Sequence, residues 1–135
     1  MWISLYYFRM EFISTEGAPK SPMYNQAVKA GGLVFVSGQS PFDPKTGQLV
    51  GETIQEQMEQ SLRNIAAILE AAGSSISKIV SATFILVNES DLSGVNEVWA
   101  KWFPTNPPAR QGAKHPISGE TIPGYKVSIS VIAEA

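Results

Sequence analysis

The residue whose type and setting most clearly suggest a chemical role in this 135-residue chain is Arg110, which ends the sequence Pro107-Pro108-Ala109-Arg110. The two prolines stiffen the chain before it, and the small Ala109 leaves room beside the guanidinium. A guanidinium presents a planar fork of donors that matches a carboxylate with two parallel hydrogen bonds, which the point charge of a lysine does not. Arg110 is therefore a candidate clamp for a small anion. The alternative is an arginine paired with a surface Asp or Glu.

Several common catalytic motifs are missing from the sequence. It has no Gly-x-x-x-x-Gly-Lys phosphate loop, no His-Glu-x-x-His metal helix and no Gly-x-Ser-x-Gly elbow. There is no cysteine, and His115 is the single histidine, so one chain has no thiolate and no His-rich metal site. His115 stands in a Pro-containing loop, which is more typical of a structural or exposed histidine than of a catalytic base. Nucleotide-driven and zinc reactions are therefore disfavoured.

The composition argues against nucleic acids and membranes as partners. Ten Lys and Arg against twelve Asp and Glu give a net charge of −2, which leaves no basic surface for a nucleic acid. The length of 135 residues is typical of a single domain, and the 44% of hydrophobic residues is enough to form a core. The apolar residues 1–9 are too short to span a membrane and lack the features of a signal peptide, so no membrane partner is expected. The absence of cysteine favours the cytoplasm.

The start of the domain is predicted at Met10. Residues 1–9 are interpreted as an extension upstream of this natural start, with residues 10–135 forming the domain. The alternative is a genuine N-terminal segment that packs on a hydrophobic surface.

The hydrophobic pattern predicts one α+β domain with the order strand, hairpin, helix, strand, helix, strand, strand. Gly31-Gly32 is expected to form the hairpin turn. The first helix is expected between a Thr53/Glu56 capping box and Gly73, and the second between an Asp91 cap and Trp102. The first helix carries one apolar stripe at helical spacing, namely Ile54, Met58, Leu62, Ile65, Ile68, Leu69 and Ala72. In the strand over 79–87, strict alternation predicts Val80 on the apolar face and Ile79 on the mixed face.

One face of the predicted sheet is neither fully apolar nor fully polar. It carries small hydroxyl residues among large apolar ones, which is too hydrophobic for water and too polar for a dry core. This composition is typical of a subunit interface with a pocket in it. The hydroxyl residues are Ser37, Ser81, Thr83, Ser128 and Ser130.

Five separated motifs together resemble the RidA/YjgF family, in the family's order and close to its spacing, from about Met10 to Ala133. They are Tyr24-Asn25-Gln26-Ala27-Val28; Leu33-Val34-Phe35-Val36-Ser37-Gly38-Gln39 followed by Pro41 and Asp43-Pro44-Lys45-Thr46-Gly47; Asn64-Ile65 with Leu69-Glu70-Ala71-Ala72-Gly73; Val95-Asn96-Glu97-Val98; and Pro108-Ala109-Arg110.

This resemblance implies a chorismate-mutase-like fold, a mixed sheet with two helices on one face. It also implies a homotrimer with the helices outside, the sheets forming an inner barrel, and three clefts between neighbouring subunits. Members of the family typically hydrolyse enamine and imine intermediates, such as 2-iminobutanoate and 2-iminopropanoate, to the 2-oxo acid and ammonia. No metal or organic cofactor is implied.

The resemblance also implies roles for individual residues. Arg110 corresponds to the arginine that holds the substrate carboxylate, and Tyr24 to a tyrosine lining the cleft. Ser37 and Gly38 correspond to the strand end beside it, and Asn96 to a nearby asparagine of the second helix. Each has a simpler alternative: Tyr24 packs, Gly38 only turns the chain, or Asn96 satisfies a buried backbone group.

The sequence departs from the family pattern inside the predicted cleft. Ser128 stands where deaminating members have a glutamate thought to position water, and a hydroxyl is a poor base at neutral pH. Gln111 replaces the usual Ser or Thr, and the segment after it is longer than usual. Glu120 or His115 from this longer segment is a candidate replacement for the missing carboxylate.

Three functions follow from the resemblance and these departures. The first is an imine deaminase of a divergent subgroup, with Arg110 binding the substrate and Ser128 near the water. The second is a non-catalytic trimeric protein that binds a small carboxylate or regulates another protein. The third, a ribonuclease or translation inhibitor, is disfavoured by the net negative charge and the single histidine.

Overall fold

Six strands and two long helices form the domain in the computed structural model, which describes residues 9–116 and 122–135. Most of the predicted extension over 1–9 lies outside the described residues, as does Glu120. The elements are β1 (Glu11–Ile13), β2 (Ala27–Ala30), β3 (Leu33–Gln39), α1 (Ile54–Ala71), β4 (Ile79–Leu86), α2 (Leu92–Trp102), β5 (Ala109–Lys114) and β6 (Val127–Glu134).

The strands form one sheet in the order β1-β2-β3-β6-β4-β5. Every neighbouring pair is antiparallel except β4 and β5, which are parallel, so the sheet is mixed. α1 packs on β3 and β6, and α2 packs beside α1. Apolar side chains of both helices and of the helix-facing sheet side form one core. The predicted α+β fold, a mixed sheet with two helices on one face, is confirmed.

α1 begins and ends where the sequence predicts. Thr53 accepts a hydrogen bond from the backbone N–H of Glu56, whose side chain in turn caps the Thr53 N–H, forming the predicted capping box. Gly73 follows the helix with φ of +80°, a conformation that glycine adopts without strain. The stripe at helical spacing is fully buried against the sheet. It comprises Met58, Leu62, Ile65, Ile68 and Leu69.

The turn between β2 and β3 decides which β3 side chains face the helices. Gly31 and Gly32 have φ of +58° and +78°, as a type I′ hairpin turn requires. The turn pairs Ala30 with Leu33, so Val34 points into the core and Phe35 points to the other side of the sheet.

Two local expectations are wrong. The register of β4 shifts between Ile79 and Ser81, so Ile79 is buried in the core at 7% exposure while Val80 is 41% exposed. A β-bulge adds one residue and thereby resets the alternation. Asp91 does precede α2, but its side chain makes no capping hydrogen bond. Its backbone is already helical, whereas a capping side chain needs an extended residue.

Candidate functional site

The sheet face away from the helices, here called the open face, is apolar at one end and polar at the other. Phe12 and Phe35 are 61% and 43% exposed on it. Nearer β5, Gln111 donates a hydrogen bond to Thr83 Oγ1 at 3.1 Å. The open face therefore has the mixed character that the sequence predicts. A row of residues paired across neighbouring strands runs over all six strands. It comprises Phe12, Val28, Phe35, Ile132, Ser81 and Ala109.

Ser37, Gly38 and Ser128 come together at the far end of this face, where the β3–β6 register shifts. A Cβ on Gly38 would lie 3.0 Å from Ser128 Oγ, so a side chain at residue 38 would crowd the serine. Ser37 Oγ donates to the carbonyl of Asn25 at 2.7 Å, and the neighbouring Tyr24 is 57% exposed. We call Tyr24, Ser37, Gly38 and Ser128 the serine half-site.

Gln26 is the residue that fixes the backbone next to this half-site. Its buried amide donates to the carbonyls of Thr15, Ala18 and Pro19 at 2.9–3.0 Å, and its Oε1 accepts from the Thr15 N–H at 2.7 Å. Its own carbonyl accepts from the N–H of Ser37 at 2.9 Å. Gln26 thereby joins the segment over 15–19 to β3 beside Tyr24. The sequence motif contains this residue but gives no indication of that role.

We expect Gln26→Ala to lower the free energy of unfolding by about 2–4 kcal/mol, because it leaves buried carbonyls without donors. Urea denaturation at neutral pH measures the effect. Gln48→Ala, in the exposed loop before α1, is the matched control and should stay within about 0.5 kcal/mol of the parent. Equal stability of the two variants would contradict this role for Gln26.

Arg110 lies on the other side of the sheet, at the exposed edge strand β5. It pairs with the buried Ala82, so its side chain points to the helix side. The guanidinium carbon lies 4.9 Å from the centroid of the Phe84 ring and 5.2 Å from that of Trp99. Within residues 9–116 and 122–135 no Asp or Glu forms an ion pair with Arg110. The described residues therefore do not show Arg110 in the surface ion pair that was its alternative role.

Gly112 makes the approach of Phe84 possible. A Cβ at this position would lie 2.4 Å from two carbon atoms of the Phe84 ring, so the ring passes directly over the glycine backbone. The sequence motifs do not predict this contact. A glycine inside a strand is the one available signal, because it often marks a close approach of another group.

Arg110 and Gly112 line an open groove of about 590 Å³ between β5, the end of β4 and the start of α2. Asn96 is exposed on α2, one turn before Trp99, and its side chain makes no hydrogen bond to any residue in the described ranges. The alternative that it satisfies a buried backbone group is thus not observed there. Asn96 does not line the groove, so we call Arg110 and this groove the arginine half-site. The groove is also lined by Phe84, Leu86, Leu92 and Lys114.

The two half-sites do not converge within one chain. Arg110 of β5 pairs with Ala82 of β4, which in turn pairs with Val131 of β6. Ser128 precedes Val131 by three residues in β6. At standard strand spacings the two backbones are about 10 Å apart across the strands and about 10 Å apart along them. Their side chains also point to opposite faces. A small substrate cannot contact both half-sites of a single chain.

His115 faces Tyr125. Its Nε2 lies 3.1 Å from the Tyr125 hydroxyl, which lies 2.6 Å from Ser40 Oγ, and the two rings meet edge to face. Burial lowers the pKa of His115 below its usual value, which favours the neutral form of the ring. Its proposed replacement of the family carboxylate stays a prediction.

In the stretches 9–116 and 122–135, no group of three His, Asp or Glu side chains is placed to bind a metal ion. None of the helices described there is both long enough and apolar enough to cross a membrane.

Comparison with known proteins identifies the family. The model of the family described as "Endoribonuclease L-PSP" matches residues 15–135. Since this match spans most of the sequence, the chain belongs to this family, the RidA/YjgF family that its motifs resemble. A crystal structure of RidA from an Antarctic Psychrobacter is 36% identical and superposes with a TM-score of 0.84 over 93% of this chain and 99% of that chain.

Three relatives carry names, and two of these names refer to deamination. A RutC family protein of Pyrococcus horikoshii is 48% identical over 74% of this chain and 80% of that protein. The chloroplastic Reactive Intermediate Deaminase A of Arabidopsis thaliana is 44% identical over 76% of this chain and 55% of its own length. The human 2-iminobutanoate/2-iminopropanoate deaminase is 39% identical over 73% and 72%, respectively. Because one relative is chloroplastic, the cytoplasm stays a prediction for this chain.

Proposed function

We propose that this protein hydrolyses small 2-imino acids to the 2-oxo acid and ammonia in a cleft between two copies of the chain. The observation that carries the proposal is the position of Arg110, a guanidinium held against two rings, without a carboxylate partner among the described residues, at the wall of an open groove. Relatives named for imine and reactive-intermediate deamination support the reaction class.

The chemistry needs few protein groups. A protonated imine carbon is already electrophilic, so water adds to it without a strong nucleophile, giving a carbinolamine after loss of a proton. The nitrogen is then protonated and the hydroxyl loses its proton, so that ammonia leaves as the C–N bond breaks and the C=O bond forms. Arg110 holds the carboxylate and thus the reacting carbon, and Ser128 of the neighbouring copy orients the water.

The proposed assembly is a homotrimer in which the open faces form an inner barrel. Exposed apolar residues such as Phe12 and Phe35 favour burial of this face by other copies. The two half-sites of one chain are too far apart to bind one small substrate. In the proposed assembly, the serine half-site of one copy can lie beside the arginine half-site of the next. Small 2-imino acids are the proposed ligands of these clefts, and no cofactor is required.

A second candidate function follows from Ser128. The hydroxyl can orient a water molecule but does not remove its proton at neutral pH. A trimer that binds a small carboxylate without turnover, as a binding or regulatory protein, is consistent with that side chain.

One assay separates the two candidates. The imino acid is generated from an amino acid by an amino-acid oxidase, and 2-oxo acid formation is followed with and without the protein. We expect turnover by the parent and about a hundredfold higher kcat for Ser128→Glu, because a carboxylate can act as general base. Ser130→Glu, on the same face of β6, is the control and should not gain activity. Saturable binding of 2-oxobutanoate without any turnover by parent or Ser128→Glu would support the binding protein instead.

A further inference from the structure

Arg110 lies against two aromatic rings rather than against a carboxylate. Both ring centroids are within about 6 Å of its guanidinium carbon, the range of a cation–π contact. Phe84 and Trp99 are themselves nearly buried, at 6% and 8% exposure, and Trp99 packs on Phe103 with ring centroids 4.4 Å apart. The rings are thus fixed by the core, while Arg110 is at the exposed edge of the sheet.

The two contacts restrict the arginine without using its hydrogen-bond donors. Aromatic faces attract the positive charge but do not compete for the five N–H groups as a carboxylate would. A long exposed side chain normally loses much rotamer freedom when it binds a ligand. An arginine already held by two rings loses less, so its affinity for an anion is higher.

Gly112 is the third part of this arrangement. The Phe84 ring occupies the space in which any side chain at 112 would begin, at 2.4 Å from the Cβ position. Phe84 and Gly112 are paired residues of β4 and β5, and Arg110 is the next residue of β5 on the same face. Any larger residue at 112 would push the ring away from its position near Arg110.

We propose that Phe84 and Trp99 are positioning residues that hold the guanidinium of Arg110 ready for a carboxylate, and that glycine at 112 is what lets the Phe84 ring reach it. The identity of the anion rests on the proposed function, whereas the positioning does not. Both aromatic residues act on the carboxylate through Arg110, although Phe84 also lines the groove.

Nuclear magnetic resonance tests the positioning without any ligand. The chain has three arginines, so Arg110→Lys identifies the Nε–H signal of Arg110 by its loss. In the parent we expect this signal to be shifted by the ring currents. In Phe84→Leu and in Gly112→Ala it should move toward the position of an exposed arginine. A parent signal already at that position would overturn the proposal.

Binding of 2-oxobutanoate, followed by calorimetry, tests the consequence. Phe84→Leu and Gly112→Ala should each raise the Kd about three- to fivefold, the value of one lost cation–π contact. Ile68→Val in α1 is the control for a general loss of core packing, and it should change neither the Kd nor the arginine signal.

The outcomes separate this proposal from the function. An equal rise in Kd for Ile68→Val and Phe84→Leu would overturn the positioning role. A shifted Arg110 signal in a parent that binds no 2-oxo acid would leave the ring contacts in place and overturn the proposed function.

Discussion

Arg110→Ala should lower kcat/KM for a 2-imino acid by about 10²–10³. The guanidinium can bind the substrate carboxylate through two parallel hydrogen bonds, which the ammonium of Lys114 in the same groove cannot form. Two charge-assisted hydrogen bonds to a carboxylate contribute about 3–4 kcal/mol, which corresponds to that factor in rate. Because the carboxylate also positions the imine carbon, we expect both a higher KM and a lower kcat.

Arg63→Ala is the matched control for this prediction. Arg63 lies on α1, where it pairs with Glu59 at 3.8 Å, and its side chain is 67% exposed. An exposed pair of this kind adds little to stability, so the variant should keep the parent's activity. Arg110→Lys should recover only part of the lost activity, because an ammonium does not form the paired hydrogen bonds. Parent-like kcat/KM in Arg110→Ala would remove the basis of the proposed mechanism.

Phe35→Glu should convert the proposed trimer to monomers and abolish activity. Phe35 lies in the middle of the open face, with Val28 and Ile132 as its neighbours across the strands. In the proposed trimer this ring is buried, and a charge there would have to be desolvated without a partner, which costs several kcal/mol at each interface. Light scattering coupled to size-exclusion chromatography should give the 14.6 kDa chain mass instead of three times that value.

A charge on the helix side of the molecule provides the comparison. Ala71→Glu adds the same charge at an exposed position at the end of α1, and it should leave the trimer and its activity intact. If Phe35→Glu stays trimeric, or if the parent is a monomer, the open face is not the interface and the shared cleft is lost with it.

Local patterns explain why much of the fold was predictable. The capping box at Thr53, the Gly31-Gly32 turn and the stripe of α1 each depend on residues close in sequence, and each is found as predicted. The face of Val80 was predicted wrongly because a bulge depends on how β6 pairs with β4, which no short window of sequence contains. The uncapped Asp91 depends similarly on the conformation of the turn before α2.

The candidate site was predictable in its residues but not in its arrangement. The stiff sequence before Arg110 marked it as an anion clamp, yet the rings that hold it come from β4 and α2, at least 11 positions away. Gln26 was part of a recognised motif, but its role depends on three carbonyls of another segment. Such contacts are set by tertiary packing and by strand register, which the sequence pattern alone does not specify.

The central claim is that each site takes Arg110 from one chain and the serine half-site from the next. Arg110→Ala damages one half, and Gly38→Leu damages the other by placing a side chain against Ser128. The two variants are expressed together with different affinity tags, and trimers containing both are purified. In every mixed trimer one of the three clefts combines the two undamaged halves.

The measurement is the activity of these mixed trimers. We expect about one third of the parent's activity, although trimers of either variant alone are inactive. Mixed trimers as inactive as the separate variants would contradict a site shared between two chains.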